Sequence, residues 1–398
     1  MLKSNILLAQ VGWRGKIFVK QAIEQKYANG AIFLPRNYDL QKYIELSQYI
    51  HRKNGIVLFD SQLYFPQVGN RIFKRYNYYR ENFLHGYNES SFNNKDFREK
   101  LCNDLITCQD YLSVDAYISP TEFMDSYSEA KIHRFIELSK SFISCAEKKR
   151  KIPCLISLPI SNTVIVDEDN RNNLLDYLTG LDCSGFYVNY SVERGEGYPL
   201  VDPTGISSLM HLLYSLKKNN YYVIMGHSHH ISYLLSCTGL DGFATGHFKN
   251  TRTFEAPYYQ GMTSIARQPA TNYFSIALLN DLRVNTDIRM LNDRSFNLDS
   301  IKSGSPFENS LFSPAISYAW GKDDSFHHYI WCCNKLMEKL KNKKIEEKIN
   351  EVQSHLRNAQ ALYNRIKQVG IPTQPTEKIY PNWIAVLQEF NNLISSKL

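Results

Sequence analysis

Eight short apolar runs alternating with helical patterns predict an α/β protein, a (β/α)8 TIM barrel with an insertion after the third strand and a helical C-terminal extension. Most of the runs are uninterrupted rather than alternating, as a parallel sheet covered on both faces requires. They occupy about 260 residues, close to the usual barrel size of about 250. No G-x-G-x-x-G follows the first run, which disfavours an open doubly wound sheet.

In chain order the strand candidates are "NILLAQVG", "GAIFLP", "GIVLFDS", "VDAYISP", "PCLISLP", "SGFYVNY", "YYVIMG" and "LDGFATG". Segments between them, such as "LQKYIELSQYIHRK" and "SEAKIHRFIELSKSFISCAEKKR", carry apolar residues at helical spacing and end in basic residues, which suit a helix C-terminus. The barrel is expected over residues 1–265 and the extension over 266–398. Between the third and fourth strands, residues 61–112 are too long for one loop and one helix. They contain "RIFKRYNYYR", four basic residues interleaved with four aromatics. The extension holds one long charged helical stretch, "NKLMEKLKNKKIEEKINEVQSHLRNAQALYNRIK", stopped by "GIP", and then a short final helix.

Composition is that of an ordinary globular protein: 398 residues, 43% hydrophobic and 21% charged. No apolar stretch approaches the roughly 18 to 20 residues of a membrane span, so no membrane association is expected. The eight cysteines form no C-x-x-C pair, which argues against a zinc ribbon or a disulfide framework and for a cytoplasmic protein. A net charge of +7 suits a polyanionic partner without requiring one.

In such a barrel, function sits where the strands end. Those ends supply Gln10, Trp13 and Arg14, then Arg36, Asp60 and Ser61, Ser119 and Glu122, Ser161 and Asn162, Asn189, and His247. Asp60 closes the run "GIVLF", so its carboxylate is placed at the mouth as an acid, base or nucleophile. The plainer reading is a helix cap or a partner for a loop arginine. The cluster "GHSHH" brings His227, His229 and His230 to the end of the seventh strand. With His247 they suggest a metal-dependent hydrolase; otherwise they open the next helix near Ser228 or His229. In "RIFKRYNYYR", Arg71, Lys74, Arg75 and Arg80 are candidates for phosphates, and Tyr78 and Tyr79 for stacking on unpaired bases. A Tyr-rich segment packed on the barrel rim reads equally well.

The stretch "GFYVNYSVERGEGY", followed by "YYVIMGHSHHISYLLSCTGLDGFATGHFKNTRTF", resembles the last third of the tRNA-guanine transglycosylase barrel. Met225-Gly226 stands where that family has Leu-Met-Gly. Gly239 to Phe243 stands at its Gly-Ile-Asp-Met-Phe-Asp, and Asn250 and Arg252 stand near its Thr-Arg-Asn-x-Arg. "LFDSQLYFPQ" is similar to its Asp-Ser-Gly-Gly-Phe-Gln loop at Asp60, Ser61 and Phe65, and "PTEF" keeps Glu122 of its Asp-Glu-Cys.

The resemblance spans most of the first 260 residues through short motifs. It implies a base exchange in a nucleic acid, in which guanine leaves and a 7-deazaguanine such as preQ0 enters the same sugar. The zinc spacing of the tRNA enzymes is missing, so the DNA-directed branch is the nearer likeness. DNA is the expected partner, RNA the other polyanion, and accessory proteins further candidates; no cofactor or metal is implied. Asp60, Glu122 and Asp241 would be the catalytic carboxylates. Ser61, Asn189, Gly226, His227, His229 and His247 would line the base pocket, and Lys249 and Arg252 would join the nucleic-acid contacts. Two departures stand out. The family's nucleophilic Asp falls on Ala244, and Asp241 lies an odd number of residues away, so it would face the other side of a strand. Gln62 and Leu63 replace the Gly-Gly pair. Either the match slips here, or Asp60 takes the covalent role, or the chain binds nucleic acid without turnover.

Overall fold

The computed structural model describes residues 2–65, 73–83, 89–191, 202–259, 271–312, 320–370 and 375–396. Eight parallel strands form one sheet: β1 (Ile6–Gln10), β2 (Gly30–Phe33), β3 (Ile56–Phe59), β4 (Tyr117–Ile118), β5 (Cys154–Ser161), β6 (Gly185–Ser191), β7 (Tyr222–Met225) and β8 (Gly242–Thr245). Their order is β3-β2-β1-β8-β7-β6-β5-β4, and β1 pairs with both β2 and β8. The ring nearly closes between β3 and β4. There the Asp115 N–H donates to the Val57 carbonyl at 2.9 Å, and the Asp115 carboxylate accepts the Val57 N–H at 2.7 Å. A side chain thus satisfies an amide that the two-residue β4 is too short to pair. This is a TIM-barrel-like α/β fold.

Strand parity explains the uninterrupted apolar runs. Leu8, Ile32, Leu58, Leu155, Tyr187, Ile224 and Ala244 fill the barrel interior. Their alternates, such as Leu7, Phe33, Phe59, Phe186 and Met225, face the surrounding helices in a separate cluster. Both faces are buried, so both parities are mainly apolar, with polar residues such as Gln10 and Asn189 towards the strand ends. Helix starts are fixed by side chains that accept a free N–H of the first turn. Asp39 does this for Leu40–Arg52, Ser128 for Glu129–Glu147, and Asp202, followed by Pro203, for Pro203–Lys218.

The insertion contributes two helices, Asn77–Phe83 and Lys95–Tyr111, and the second packs on Glu129–Glu147 as part of the outer layer. The extension begins with an antiparallel hairpin, β9 (Asn272–Ser275) and β10 (Asn280–Arg283). The helices after β7 and β8 are short, Ile231–Leu235 and Lys249–Arg252. The space they leave is taken by Lys322–Leu340, which packs on both Lys16–Glu24 and Ile231–Leu235. The long charged stretch is not one helix. It breaks over residues 341–344 into Lys322–Leu340 and Ile345–Gln368, because Asn342 turns left-handed (φ +63°) and the Glu347 carboxylate accepts the Lys344 N–H to start a new helix. No helix among the described residues is long and apolar enough to cross a membrane.

Candidate active site at the barrel mouth

Asp60 follows β3 on the inward parity of Leu58 and is 1% exposed. Its Oδ2 accepts the Tyr64 hydroxyl at 2.5 Å and its Oδ1 accepts the Gln62 N–H at 2.9 Å. Tyr64 is set in turn by Asn189 of β6, whose Nδ2 donates to the phenol oxygen at 3.0 Å. Two residues before Asn189, and so on the same face, Tyr187 also lies beside Asp60 and helps to hold its carboxyl down. Gln10 Nε2 donates to the Tyr187 hydroxyl at 3.1 Å, and Gln10 Oε1 accepts the His227 N–H at 3.1 Å. Burial pushes the Asp60 carboxyl up to about 6, against the opposing effects of Tyr64, the Gln62 N–H, Tyr187 and the Arg36 charge. Such a carboxyl can both give and take a proton near neutrality.

Close approach is built into the backbone here. A Cβ on Gly226 would come within 2.1 Å of Asn189 Oδ1 and 2.5 Å of the Tyr187 hydroxyl, so only glycine lets β7 pass this pair. Gln62 and His227 both adopt positive φ, +54° and +44°, a strained conformation for such side chains. Gln62 Oε1 and Asn189 Oδ1 are buried acceptors with no hydrogen bond among the described residues. Over these groups lies an aromatic cover of Tyr64, Phe254 and Tyr259, flanked by Phe65 and Phe123. Phe254 and Tyr259 stack at 4.9 Å, and Tyr64 meets both edge-on. Arg36 holds the cover down, donating to the Tyr259 carbonyl at 3.0 Å, and the Tyr259 hydroxyl lies 3.0 Å from His227 Nε2.

The histidines diverge. His227 faces this network, whereas His230 packs on Phe274 and Trp383 of the extension, with His229 against it. His247 sits among Phe18, Phe248 and Phe326, and its Nε2 donates to the Trp13 carbonyl at 3.3 Å. Among the described residues no group of three or more His, Cys, Asp and Glu side chains is placed to hold a metal. The four histidines are thus not gathered round one point.

Burial holds His229 well below the usual imidazole range, His230 at about 3, and His247 and His328 at about 4. Each stays neutral in the fold but takes up a proton on unfolding below about 6.5. Stability should therefore fall as pH drops from about 6.5 towards 4, by on the order of 2 kcal/mol per buried imidazole. Asp60 acts in the opposite direction between 3.8 and about 6 and offsets about one of them. Urea midpoints measured from pH 7 to 4.5 check this, and a flat profile would contradict it.

Several expected site residues lie elsewhere. Asp241 precedes β8, at the far end of the barrel from Asp60. It is ion-paired to Lys217 and accepts the Val223 N–H and the Ser4 hydroxyl, so it ties strand beginnings together. Ala244 does face inward, buried beside Leu8. Glu122 is at the mouth but bound to Arg134 at 3.1 Å, and the Ser61 carbonyl accepts the Tyr78 hydroxyl at 3.2 Å. Tyr78 and Tyr79 cannot stack on bases, because both are buried in the core. Lys74, Arg75 and Arg80 from the same segment are exposed. Arg252 is buried too, donating to the Gly246 carbonyl and pairing with Asp281, which removes it from any phosphate. Arg71 lies outside the described residues, as does the side chain of Lys249.

Three tyrosines belong to the site without having been singled out in the sequence. Tyr187 was findable, as the inward neighbour of Asn189; Tyr64 and Tyr259 are loop residues with no periodic signal. No protein-family model matches the chain, and no curated protein matches it.

Proposed function

We propose that this chain cleaves and re-forms the glycosidic bond of a nucleobase in a nucleic acid, exchanging guanine for a 7-deazaguanine base, with Asp60 moving the proton. The observation that carries this reading is Asp60 itself. Among the described residues it is the buried carboxylate that follows an interior strand on the inward parity, and its proton equilibrium is raised to about 6. Base exchange suits one such group. When the bond between sugar C1′ and the base nitrogen breaks, its electron pair leaves with the base, which takes a proton from Asp60, and the sugar is left as an oxocarbenium ion near the ionised carboxylate. The incoming base makes the new bond to C1′ with a ring-nitrogen electron pair and gives up that nitrogen's proton to the carboxylate. The exchange is proton-neutral and restores Asp60 each cycle. The buried acceptors Gln62 Oε1 and Asn189 Oδ1 suit the ring N–H and amino donors of a guanine edge. The choice of guanine, of a 7-deazaguanine and of DNA over RNA comes from the sequence resemblance.

The experiment supplies the purified chain with single- and double-stranded DNA and RNA and with radiolabelled guanine or a 7-deazaguanine. Label incorporated into one of the polymers is the expected result. Ala244 favours a second reading, a nucleic-acid-binding chain without turnover. Binding with neither incorporation nor base release would establish that reading in place of the first. No binding and no incorporation would sink both.

A further inference from the structure

We propose that the rim beside β1 and β2 is a docking strip for single-stranded nucleic acid, with Trp13 as its stacking platform. Trp13 is 59% exposed, whereas Trp320 and Trp383 are buried. It lies three residues beyond Gln10, which bonds to Tyr187 and His227 in the site, so it stands on the lip of the same mouth.

The turn that carries the ring is held. The Trp13 carbonyl accepts a hydrogen bond from His247, and the Gly15 N–H closes the turn on the Gly12 carbonyl at 2.9 Å. A Cβ on Gly15 would meet that carbonyl at 2.8 Å and the His247 ring at 3.1 Å. Arg14 takes a left-handed φ of +57° and lays its guanidinium 4.4 Å from the centre of the indole. An exposed, pre-set aromatic face with a cation over it is what an unpaired base stacks on.

Cations continue from there. Lys16 lies 5.9 Å from the centre of the Tyr38 ring, and the Tyr38 carbonyl accepts the Tyr76 hydroxyl. Asp39, the next residue, lies between Lys42 at 3.3 Å and Arg75 at 4.0 Å, and exposed Lys74 adjoins Arg75. Among the described residues, the carboxylates paired with this set are Glu45, with Lys16, and Asp39, with Lys42 and Arg75. A connected basic strip beside an exposed indole matches a phosphate backbone with splayed bases. The stacking role read from Tyr78 and Tyr79 passes to Trp13, while Lys74 and Arg75 keep theirs.

The inference rests on the base-exchange reading, because a site buried under Tyr64 and Tyr259 can receive a base only after it leaves its stack. DNA and RNA share the chemistry the strip recognises. The test therefore uses labelled single strands of each, about 12 nucleotides long, and the matching duplex, titrated by fluorescence anisotropy with the full chain.

Trp13→Ala should weaken single-strand binding about ten-fold with no change in salt dependence, since stacking releases no counterions. Lys74→Ala with Arg75→Ala should lower the log–log salt slope by about 1.4. Thermal melts should be unchanged by Trp13→Ala, whose side chain is largely exposed. The stronger of the two strand types identifies the polymer, and equal affinity marks a strip that reads only the shared chemistry. Binding by Trp13→Ala within about two-fold of the unmodified chain overturns the proposal. So does a change confined to oligomeric state, read by light scattering, which would make the indole a protein contact. If labelled base is exchanged and Trp13→Ala has no effect, the strip fails and the Asp60 reading stands. Trp13-dependent binding without exchange has the opposite meaning.

Discussion

Asp60→Asn is expected to lower base exchange by about 10³-fold, the loss of a positioned proton-transfer group, while making the protein more stable at pH 7. The two effects share one cause. A carboxyl whose equilibrium in the fold is raised from 3.8 to about 6 contributes stability that is present below 3.8 and lost as pH rises through about 6. At pH 7 the buried carboxylate is therefore a net cost, on the order of 2 to 3 kcal/mol. Asparagine has the same shape and no charge. Its carbonyl can accept the Gln62 N–H, and its amide can donate to the Tyr64 oxygen. The denaturation midpoint should rise as activity disappears, and the pH dependence of stability between 4 and 6 should steepen, because the opposing titration is gone.

The pH–rate profile gives a third, independent readout. Departure of the first base requires the protonated acid, so kcat/KM should fall about ten-fold per pH unit above about 6 in the unmodified protein. That limb should vanish in the variant. Activity within about ten-fold of the unmodified chain, or a loss of stability at pH 7, would remove Asp60 from the chemistry. Tyr64→Phe should act more mildly. It deletes the donor that sets one carboxylate oxygen, and so raises the carboxyl equilibrium further and moves the limb to higher pH.

The barrel was legible because its signal is redundant. Eight apolar runs bury both parities, and any one strand could have been misread without changing the architecture. Asp60 was legible for a related reason: a charged residue ending such a run has only the mouth to occupy. Parity set Asp241 apart from Ala244, and Ala244 does face the interior. The segment around Tyr78 was misread although its pattern was visible. Phe73, Tyr76, Tyr79 and Phe83 recur at helical spacing and are buried, whereas Lys74, Arg75, Asn77 and Arg80 point outward. Treated as a composition it suggests nucleic acid; treated as a helix it predicts an apolar face with a basic rim. What no local pattern carries is the long-range closure of the site. Tyr259 reaches His227 over 32 residues and Arg36 over 223, and contacts of that span depend on topology rather than on spacing.

Arg252 illustrates the same limit with the largest expected effect on stability. Read from sequence, it is a cation near a phosphate-binding motif; in the fold it is a tie between the barrel and the extension. Its Nε donates to the Gly246 carbonyl at the end of β8, and one terminal nitrogen lies 3.6 Å from Asp281 of β10. The guanidinium carbon sits 3.3 Å from the centre of the Tyr329 ring on the helix Lys322–Leu340. Arg252→Ala should cost about 2 to 4 kcal/mol, because a half-buried carboxylate loses this cation, a carbonyl its donor and the core a packed side chain. Arg252→Lys should recover only part of this, since an ammonium cannot bond the carbonyl, face the carboxylate and stack on the ring together. Replacing both Arg252 and Asp281 with Ala should be less harmful than the two single changes summed, because it leaves no uncompensated charge. Urea titrations of the four proteins measure the coupling. A phosphate ligand would behave in the opposite way: Arg252→Ala would leave stability unchanged and reduce the salt slope of nucleic-acid binding by about 0.7. A destabilised protein whose slope is unaltered, measured at a temperature where it is still folded, would establish the tie; an unaltered stability with a reduced slope would dissolve it.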